Sequence, residues 1–150
     1  MQDRPSWDQY FMEIAKLVAT RSQCLRGKTG AVIVSRDHRI ISTGYNNPPA
    51  GVPSCEEVGS CLVVDRAGHG PSCRRTIHAE LNAVMHLGGR HKEAHSIYTK
   101  FAPCNPCLEQ VVKFGIKEII YIISYDTVDV EREELLKAHG AMMRLATSCT

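Results

Sequence analysis

Two short stretches of the sequence carry residues that could bind a metal ion and move protons. The stretch TIHAELNAV (76–84) places His78 two positions before Glu80, at the start of a segment with helical apolar spacing. The stretch APCNPCLEQ (102–110) contains Cys104 and Cys107 as a C-x-x-C pair, also at the start of a predicted helix. This spacing lets two sulfurs face one point, and a helix N-terminus stabilises their thiolates.

The three candidate ligands together indicate a catalytic metal site. A C-x-x-C pair alone is ambiguous, because it also occurs in zinc knuckles, in redox pairs and by chance. One imidazole and two thiolates supply three protein ligands, whereas structural zinc sites usually have four, so the fourth position is left for water. Glu80 could reach that water without binding the metal and act as its general base. The alternative is that His78 and Glu80 form an incidental polar pair at a helix N-terminus.

The remaining cysteines suggest a second metal site. The chain has seven cysteines, and without the C-x-x-C pair and the near-terminal Cys149 four remain: Cys24, Cys55, Cys61 and Cys73. Three of the four lie in an irregular stretch at 46–75, and a loop of that length usually has a function or is held by something else. Four thiolates there predict a closed, structural Zn²⁺, with His69 as an alternative ligand to Cys61. The alternative is four reduced cysteines without a metal.

The elements that position these residues alternate between helix and strand. The first helix, near the N-terminus, is predicted to present Tyr10, Phe11, Ile14, Leu17 and Val18 on one face. Two β-branched runs around RDHR predict a hairpin, and helices and strands alternate from residue 78 onward. The apolar run at 118–123 is typical of a strand covered on both faces. We therefore predict one α/β domain over residues 1–150, a three-layer α/β/α sandwich with a mixed central sheet.

Composition narrows the classes of function. A formal net charge of +2 does not predict a general nucleic-acid or membrane surface. No apolar run approaches the roughly 18 residues that a transmembrane helix needs. The first ten residues are polar and charged, unlike a signal peptide, so we expect a cytoplasmic protein with reduced thiols.

Over most of its length the sequence resembles the deoxycytidylate (dCMP) deaminase family, within the cytidine-deaminase-like superfamily. The likeness is carried by the stretches SWDQYFMEIAKLVATRSQC, GAVIVSRDHRIISTGYN, CRRTIHAELNA, PCNPC and FGIKEIIYIISYD, and H-x-E…P-C-x-x-C is the signature of zinc deaminases. The resemblance implies hydrolysis of dCMP to dUMP, which supplies thymidylate synthesis. It also implies that His78, Cys104 and Cys107 bind the catalytic zinc and that Glu80 shuttles the proton.

The resemblance further implies which residues meet the substrate. Asn46 matches an asparagine that contacts the sugar and base, and the backbone at Ala79 matches one that lies against the pyrimidine. Arg26 and Lys28 resemble a basic segment near the nucleotide phosphate, with a solvated turn as the alternative. Tyr125 matches an aromatic near the substrate, with packing at the end of a strand as the alternative.

Regulation and assembly are also implied by the resemblance. Many family members are homohexamers regulated by dCTP and dTTP, with Mg²⁺ accompanying the nucleotide effector, and related enzymes carry a second zinc beside the nucleotide loop. This chain has Asn47 where the family often has glycine, in the loop linked to effectors. Asparagine tolerates a positive φ better than most residues, so the turn could persist.

Two alternative functions stay open at this point. One is a deaminase acting on free cytidine, on guanine, or on adenosine in tRNA, although nucleic-acid binding would favour a more basic surface. The other is a noncatalytic, zinc-stabilised interaction module. The presence of Glu80 argues against the second alternative, because zinc binding does not require that carboxylate.

Overall fold

A computed structural model of the protein describes residues 3–66, 70–124 and 129–147. The helices in these parts of the chain are α1 (Trp7–Ala19), α2 (Cys55–Val58), α3 (Ala79–Met85), α4 (Asn105–Lys113) and α5 (Val130–Ala138), with a 3₁₀ helix at Gly88–Glu93. The strands are β1 (Gly30–Ser35), β2 (Ile40–Tyr45), β3 (Val63–Arg66), β4 (Gly70–Cys73), β5 (Ala94–Phe101), β6 (Glu118–Ile123) and β7 (Met142–Leu145).

Five of the strands form one mixed sheet in the order β2-β1-β5-β6-β7. Strand β1 pairs antiparallel with both β2 and β5, whereas the β5–β6 and β6–β7 pairs are parallel. The parallel pairs are joined through α4 and α5, which is the crossover that parallel strands require. Strands β3 and β4 form a separate antiparallel hairpin.

The central sheet is covered on both faces. Alternate residues of β1 point to opposite sides, so Ala31 and Ile33 pack with α3 and α4, while Val32 and Val34 pack with α1. Strand β5 alternates in the same way, with Ile97 on the α3–α4 side and Tyr98 on the α1 side. The prediction of a three-layer α/β/α sandwich with a mixed sheet is confirmed.

The buried face of α1 agrees with the predicted one only in part: Phe11 is fully buried and Ile14 and Val18 pack against the core, as predicted. The helix buries Phe11, Met12 and Ala15, whereas Tyr10 and Leu17 are 45% and 69% exposed. The apolar spacing fits either stripe, and the sheet selects the one that also buries the carboxylate of Asp8. The start of the helix agrees with the sequence: Ser6 caps it, and its hydroxyl accepts from the backbone N–H of Gln9 at 3.2 Å.

The described residues of the stretch at 46–75 contain more regular structure than the irregular loop that we predicted. They include α2, which begins with a capping box between Ser54 and Glu57, and the β3–β4 hairpin. Short elements of this kind give little periodic signal, and proline and glycine between them obscured it.

Two glycines let helices approach the sheet closely. A Cβ atom on Gly44 of β2 would lie 2.2 Å from the backbone nitrogen of Ala83 and 2.5 Å from the carbonyl oxygen of Ala79. Helix α3 therefore lies directly on β2, and Ser42 of the same strand donates to the Ala83 carbonyl at 2.6 Å. Gly30 gives α1 the same access to β1, since a Cβ there would meet the Ala15 oxygen at 2.2 Å. In the described parts of the chain, no helix has the length and apolar character that crossing a membrane would require.

Candidate active site

Two of the three proposed metal ligands lie at helix N-caps. His78 is the N-cap residue of α3 and Cys104 that of α4, and neither side chain makes a capping hydrogen bond. Cys107 is buried in the first turn of α4. The side chains that would ordinarily cap these helices are thus directed to each other, while the helix N-termini favour negative charge on the sulfurs.

The geometry of the three side chains fits a tetrahedral zinc ion. The Nδ1 atom of His78 lies 3.6 Å from the Cys104 sulfur and 3.5 Å from the Cys107 sulfur, and all three ligand atoms lie within 4.8 Å of one another. Zn–S and Zn–N bonds of ordinary length at a tetrahedral angle place sulfur and nitrogen about 3.6 Å apart. The predicted convergence of one imidazole and two thiols is therefore present.

The thiols of Cys104 and Cys107 interact through a hydrogen bond that favours the thiolate form of Cys104. A hydrogen bond from Cys107 is the main cause that lowers the pKa of Cys104, and the same bond raises the pKa of Cys107. Cys107 is buried and Cys104 partly buried, and both lie beside the imidazole of His78. A metal ion bound here would gain two thiolates in a site already shaped for them.

Glu80 lies beside these ligands and is almost completely buried, with 5% of its surface exposed. Burial raises the pKa of its carboxyl, while the hydrogen bond from Thr99 opposes the shift. The Thr99 hydroxyl, on β5, donates to Glu80 Oε1 at 2.9 Å. A carboxylate held in this way, next to a metal site, has the environment of a general acid–base group.

A cavity of about 550 Å³ opens onto the metal-ligand cluster, and a single mononucleotide could enter it. Of the residues predicted to meet the substrate, Asn46, Ala79 and Arg26 line this cavity. Lys28 is exposed and does not line it. Tyr125 lies outside the described residues.

Asn46 has a structural task in addition to its place in the cavity wall. Its Oδ1 accepts from the Thr29 backbone N–H at 2.8 Å, and its Nδ2 donates to the Gly27 carbonyl at 2.8 Å. The side chain thus fixes the loop that carries Arg26, whose guanidinium donates to the Pro71 carbonyl at 3.2 Å. An asparagine amide retains one donor and one acceptor position after two such bonds.

The neighbouring Asn47 does not adopt the positive φ considered from the sequence. Among the described non-glycine residues only His38 has a positive φ, and the turn of this loop has its positive φ at Gly51 instead. Asn47 forms a backbone bridge with Ile77, and its side chain accepts weakly from the Gln23 N–H at 3.4 Å. Asparagine at this position therefore causes no backbone strain.

The structure brings three of the four remaining cysteines together. The ligand atoms of Cys55, Cys61 and Cys73 lie within 4.8 Å of one another, and the Cys55 and Cys73 sulfurs are 3.5 Å apart. Cys24 lies outside this tight group but close enough that its charge, after burial and Cys55, helps to raise the pKa of Cys61. His69 lies outside the described residues.

Donors surround this second cysteine group. Arg75 donates to the Cys55 sulfur at 3.5 Å and to the Ser60 carbonyl at 2.8 Å. Burial raises the pKa of Cys73, but hydrogen bonds to its sulfur, among them those from backbone N–H groups, outweigh it and lower that pKa to about 7. Hydrogen bonds to sulfur favour the thiolate, which is the form that binds metal.

Sequence reasoning missed one part of the cavity wall, formed by Asn105, Asp129 and Arg132. Asn105 lies inside the PCNPC motif, where its position between two ligands could have marked it. Asp129 and Arg132 begin α5, and no local pattern connects that helix with the motif. Thr99 was also missed, because β5 contains other polar residues and one threonine among them gives no distinct signal.

Comparison with known proteins agrees with this site. The family described as the cytidine and deoxycytidylate deaminase zinc-binding region matches residues 5–123. The deoxycytidylate deaminase of Schizosaccharomyces pombe is 39% identical over 148 residues, covering 94% of this chain and 44% of the relative. ComE operon protein 2 of Bacillus subtilis is 41% identical over 127 residues, covering 83% of this chain and 64% of the relative. The chain thus spans less than two thirds of either relative.

The fold is shared with solved structures. The dCMP deaminase of cyanophage S-TIM5, crystallised with dCMP and dUMP, superposes with a TM-score of 0.70 at 23% identity, covering 96% of this chain and 99% of that one. At this identity the likeness concerns the fold. Because the family match includes both ligand motifs and most of the chain, this protein belongs to the cytidine and deoxycytidylate deaminase family.

Proposed function

We propose that the protein is a zinc-dependent hydrolase that converts dCMP and water into dUMP and ammonia. The observation that carries the proposal is the convergence of His78, Cys104 and Cys107 at tetrahedral spacing, with the buried carboxylate of Glu80 beside them. Three protein ligands leave one position open, as catalytic zinc sites do.

The residues of the chain divide the chemistry between them. Zinc, when bound by His78, Cys104 and Cys107, would supply a water that is acidic near neutral pH. Glu80 takes a proton from the water that attacks C4 of the pyrimidine and delivers it to N3. It then moves a second proton to the amino group, which leaves as ammonia. Thr99 holds the carboxylate in position for both transfers, and burial keeps competing water away from it.

The cavity supports a nucleotide as the substrate. Arg26 lines it and is the basic residue that we assign to the 5′-phosphate, while Asn46 and the Ala79 backbone are assigned to the sugar and base. Several relatives are named deoxycytidylate deaminases. This chain spans less than half of the length of these two relatives.

The test of the catalytic role is Glu80→Gln. This variant removes the proton acceptor but none of the metal ligands. We expect the zinc content of the purified protein to be unchanged and dCMP turnover, followed by ultraviolet absorbance, to fall by about 1,000-fold or more, since a general base contributes roughly 10²–10⁴-fold. Near-normal turnover would show that Glu80 does not carry the proton.

A substrate panel separates the alternatives. We expect dCMP to be turned over with higher kcat/KM than deoxycytidine, dCTP, guanine or a tRNA anticodon stem. An Arg26→Met variant should lose this preference for dCMP over deoxycytidine, because the guanidinium is matched to a phosphate. Equal activity on dCMP and deoxycytidine in the wild type would overturn the phosphate assignment. No activity on any of them, with zinc bound, would favour an interaction module.

We also propose that Cys55, Cys61 and Cys73 bind a second, structural Zn²⁺, with Cys24 as a candidate for the fourth ligand and His69 as the alternative to Cys61. The three clustered sulfurs and the donors around Cys55 and Cys73 support this proposal. Two zinc ions per chain are expected by elemental analysis, and one in Cys73→Ser. One zinc in the wild type would remove the second site.

Regulation by dCTP and dTTP with Mg²⁺, assembly into a homohexamer and a cytoplasmic location remain predictions from the resemblance and composition. Cooperative dCMP kinetics that dCTP shifts toward higher activity, and light scattering at six times the 16.7 kDa chain mass, are the expected results.

A further inference from the structure

The turn that carries the zinc ligand Cys104 lacks the support that a helix start usually has. An N-cap side chain ordinarily bonds to the backbone of the first turn and fixes it. Here the N-cap is Cys104 itself, whose thiol is directed to the metal-ligand cluster and makes no capping bond. Pro103 before it and Pro106 after it have no backbone N–H to contribute. The turn therefore needs support from another element.

Arg132 of α5 supplies this support on both sides of Cys104. Its Nη2 donates to the Pro103 carbonyl at 3.1 Å, and its Nε donates to Asn105 Oδ1 at 3.2 Å. One planar guanidinium thus bridges the residue before the ligand and the residue after it. A planar fork is suited to such a bridge because both donors are fixed in one plane.

The bridge is closed into a ring by Asp129. Asn105 Nδ2 donates to Asp129 Oδ2 at 2.7 Å, and Asp129 Oδ1 caps α5 by accepting from the Arg132 N–H at 3.2 Å. Asn105, Asp129 and Arg132 all line the cavity beside the metal ligands. We call these three residues the α5 network.

We propose that Arg132 is a positioning residue for the catalytic metal: through the α5 network it holds the 103–105 turn so that Cys104 stays directed at the zinc ion. The inference rests on the proposed zinc site. Residues that orient metal ligands typically change metal affinity or activity by 10–100-fold when they are replaced.

The experiment measures how fast the Cys104–Cys107 pair loses its metal, without using catalysis. The holoprotein is incubated with a zinc chelator and iodoacetamide, quenched at intervals, digested with trypsin and analysed by mass spectrometry. Cleavage after Lys100 and Lys113 gives the peptide 101–113, which contains both cysteines of the catalytic site and no other. Cleavage after Arg66 and Arg74 gives the peptide 67–74, whose only cysteine is Cys73.

Three variants separate bridging from charge and from general stability. Arg132→Met removes the bridge, Arg132→Lys keeps the charge but offers no planar fork, and Lys137→Met removes a charge from an exposed position of the same helix. We expect alkylation of peptide 101–113 to be about 10-fold faster in Arg132→Met, nearly as fast in Arg132→Lys, and unchanged in Lys137→Met. The alkylation rate of peptide 67–74 should be the same in the wild type and in all three variants.

Three results would contradict this inference. Equal rates for peptide 101–113 in the wild type and Arg132→Met would show that the bridge does not hold the ligand. Equal acceleration of both peptides would assign Arg132 to general stability. Full alkylation of the wild-type 101–113 peptide before chelator is added would instead remove the proposed zinc site, and with it this role.

Discussion

The buried carboxylate of Asp8 should make the stability of the protein depend on pH in a way that one substitution can isolate. Asp8 is 5% exposed and accepts two hydrogen bonds from the Arg144 guanidinium, at 2.6 and 3.1 Å. The backbone and hydroxyl of Thr147 donate to the same carboxylate at 2.8 and 2.9 Å. These contacts tie the start of α1 to the end of β7.

The magnitude follows from the pKa of this group. Burial would raise the pKa of Asp8, but the bonds from Arg144 and Thr147 prevail and lower it from 3.8 to about 2. A carboxyl whose pKa is lower in the folded state stabilises it above the unfolded pKa, and this stabilisation is lost as the pH falls through the folded pKa. The lowered pKa of Asp8 adds about 2.4 kcal/mol to the free energy of unfolding at neutral pH. About 1 kcal/mol of this is lost by pH 3 and about 2 kcal/mol by pH 2.

Asp8→Asn removes this titration, and urea denaturation followed by the fluorescence of Trp7, the only tryptophan, measures it. The free energy of unfolding should differ most between wild type and variant at pH 5, and the difference should shrink by about 1 kcal/mol at pH 3. Loss of zinc at low pH affects both proteins and cancels in the difference. Asp3→Asn, at an exposed position, is the control for the loss of one negative charge near the N-terminus.

A difference between wild type and Asp8→Asn that stays constant from pH 5 to pH 3 would refute the reasoning, because the carboxylate would then not be titrating with a lowered pKa. A difference that grows toward low pH would give the opposite sign and would mean that burial, rather than Arg144, controls the group.

Two further predictions concern the position of α3 and of Glu80. Gly44→Ala should lower the free energy of unfolding by about 3 kcal/mol, because the new methyl group meets the α3 backbone. Gly89→Ala, where an added Cβ meets nothing within 4 Å, is the control and should leave that free energy unchanged. Equal effects of the two substitutions in chemical denaturation would contradict the close packing of α3 on β2. Thr99→Val should lower kcat by about 10-fold with KM and zinc content unchanged, because it removes the hydrogen bond to Glu80, and Thr99→Ser should retain activity. A rise in KM alone in Thr99→Val would show that the hydroxyl acts on substrate binding and not on the carboxylate.

Some parts of the fold could be predicted from local sequence patterns, and others could not. The start of α1 at Ser6 and the order of helices and strands followed from local patterns, because caps and apolar alternation act over a few residues. The buried stripe of α1 followed only in part, since two overlapping stripes satisfy the same period. Phe11 was predicted correctly, and only contact with the sheet adds Met12 and Ala15 to it. The β3–β4 hairpin was missed because its strands are too short to show a period.

In the candidate site, too, some residues could be predicted from the sequence and others only from the tertiary structure. By itself the sequence determined the chemistry: His78 with Glu80, and Cys104 with Cys107, are spaced so that a helix start places each pair together, and residue types fix what they can bind. Only the tertiary structure decided which distant residues support them. Thr99 at Glu80, Arg132 at the turn of Cys104 and Arg75 at Cys55 are single contacts between separate elements, and such contacts repeat no spacing along the chain. They arise when the sheet and helices pack, because that packing fixes which side chains meet.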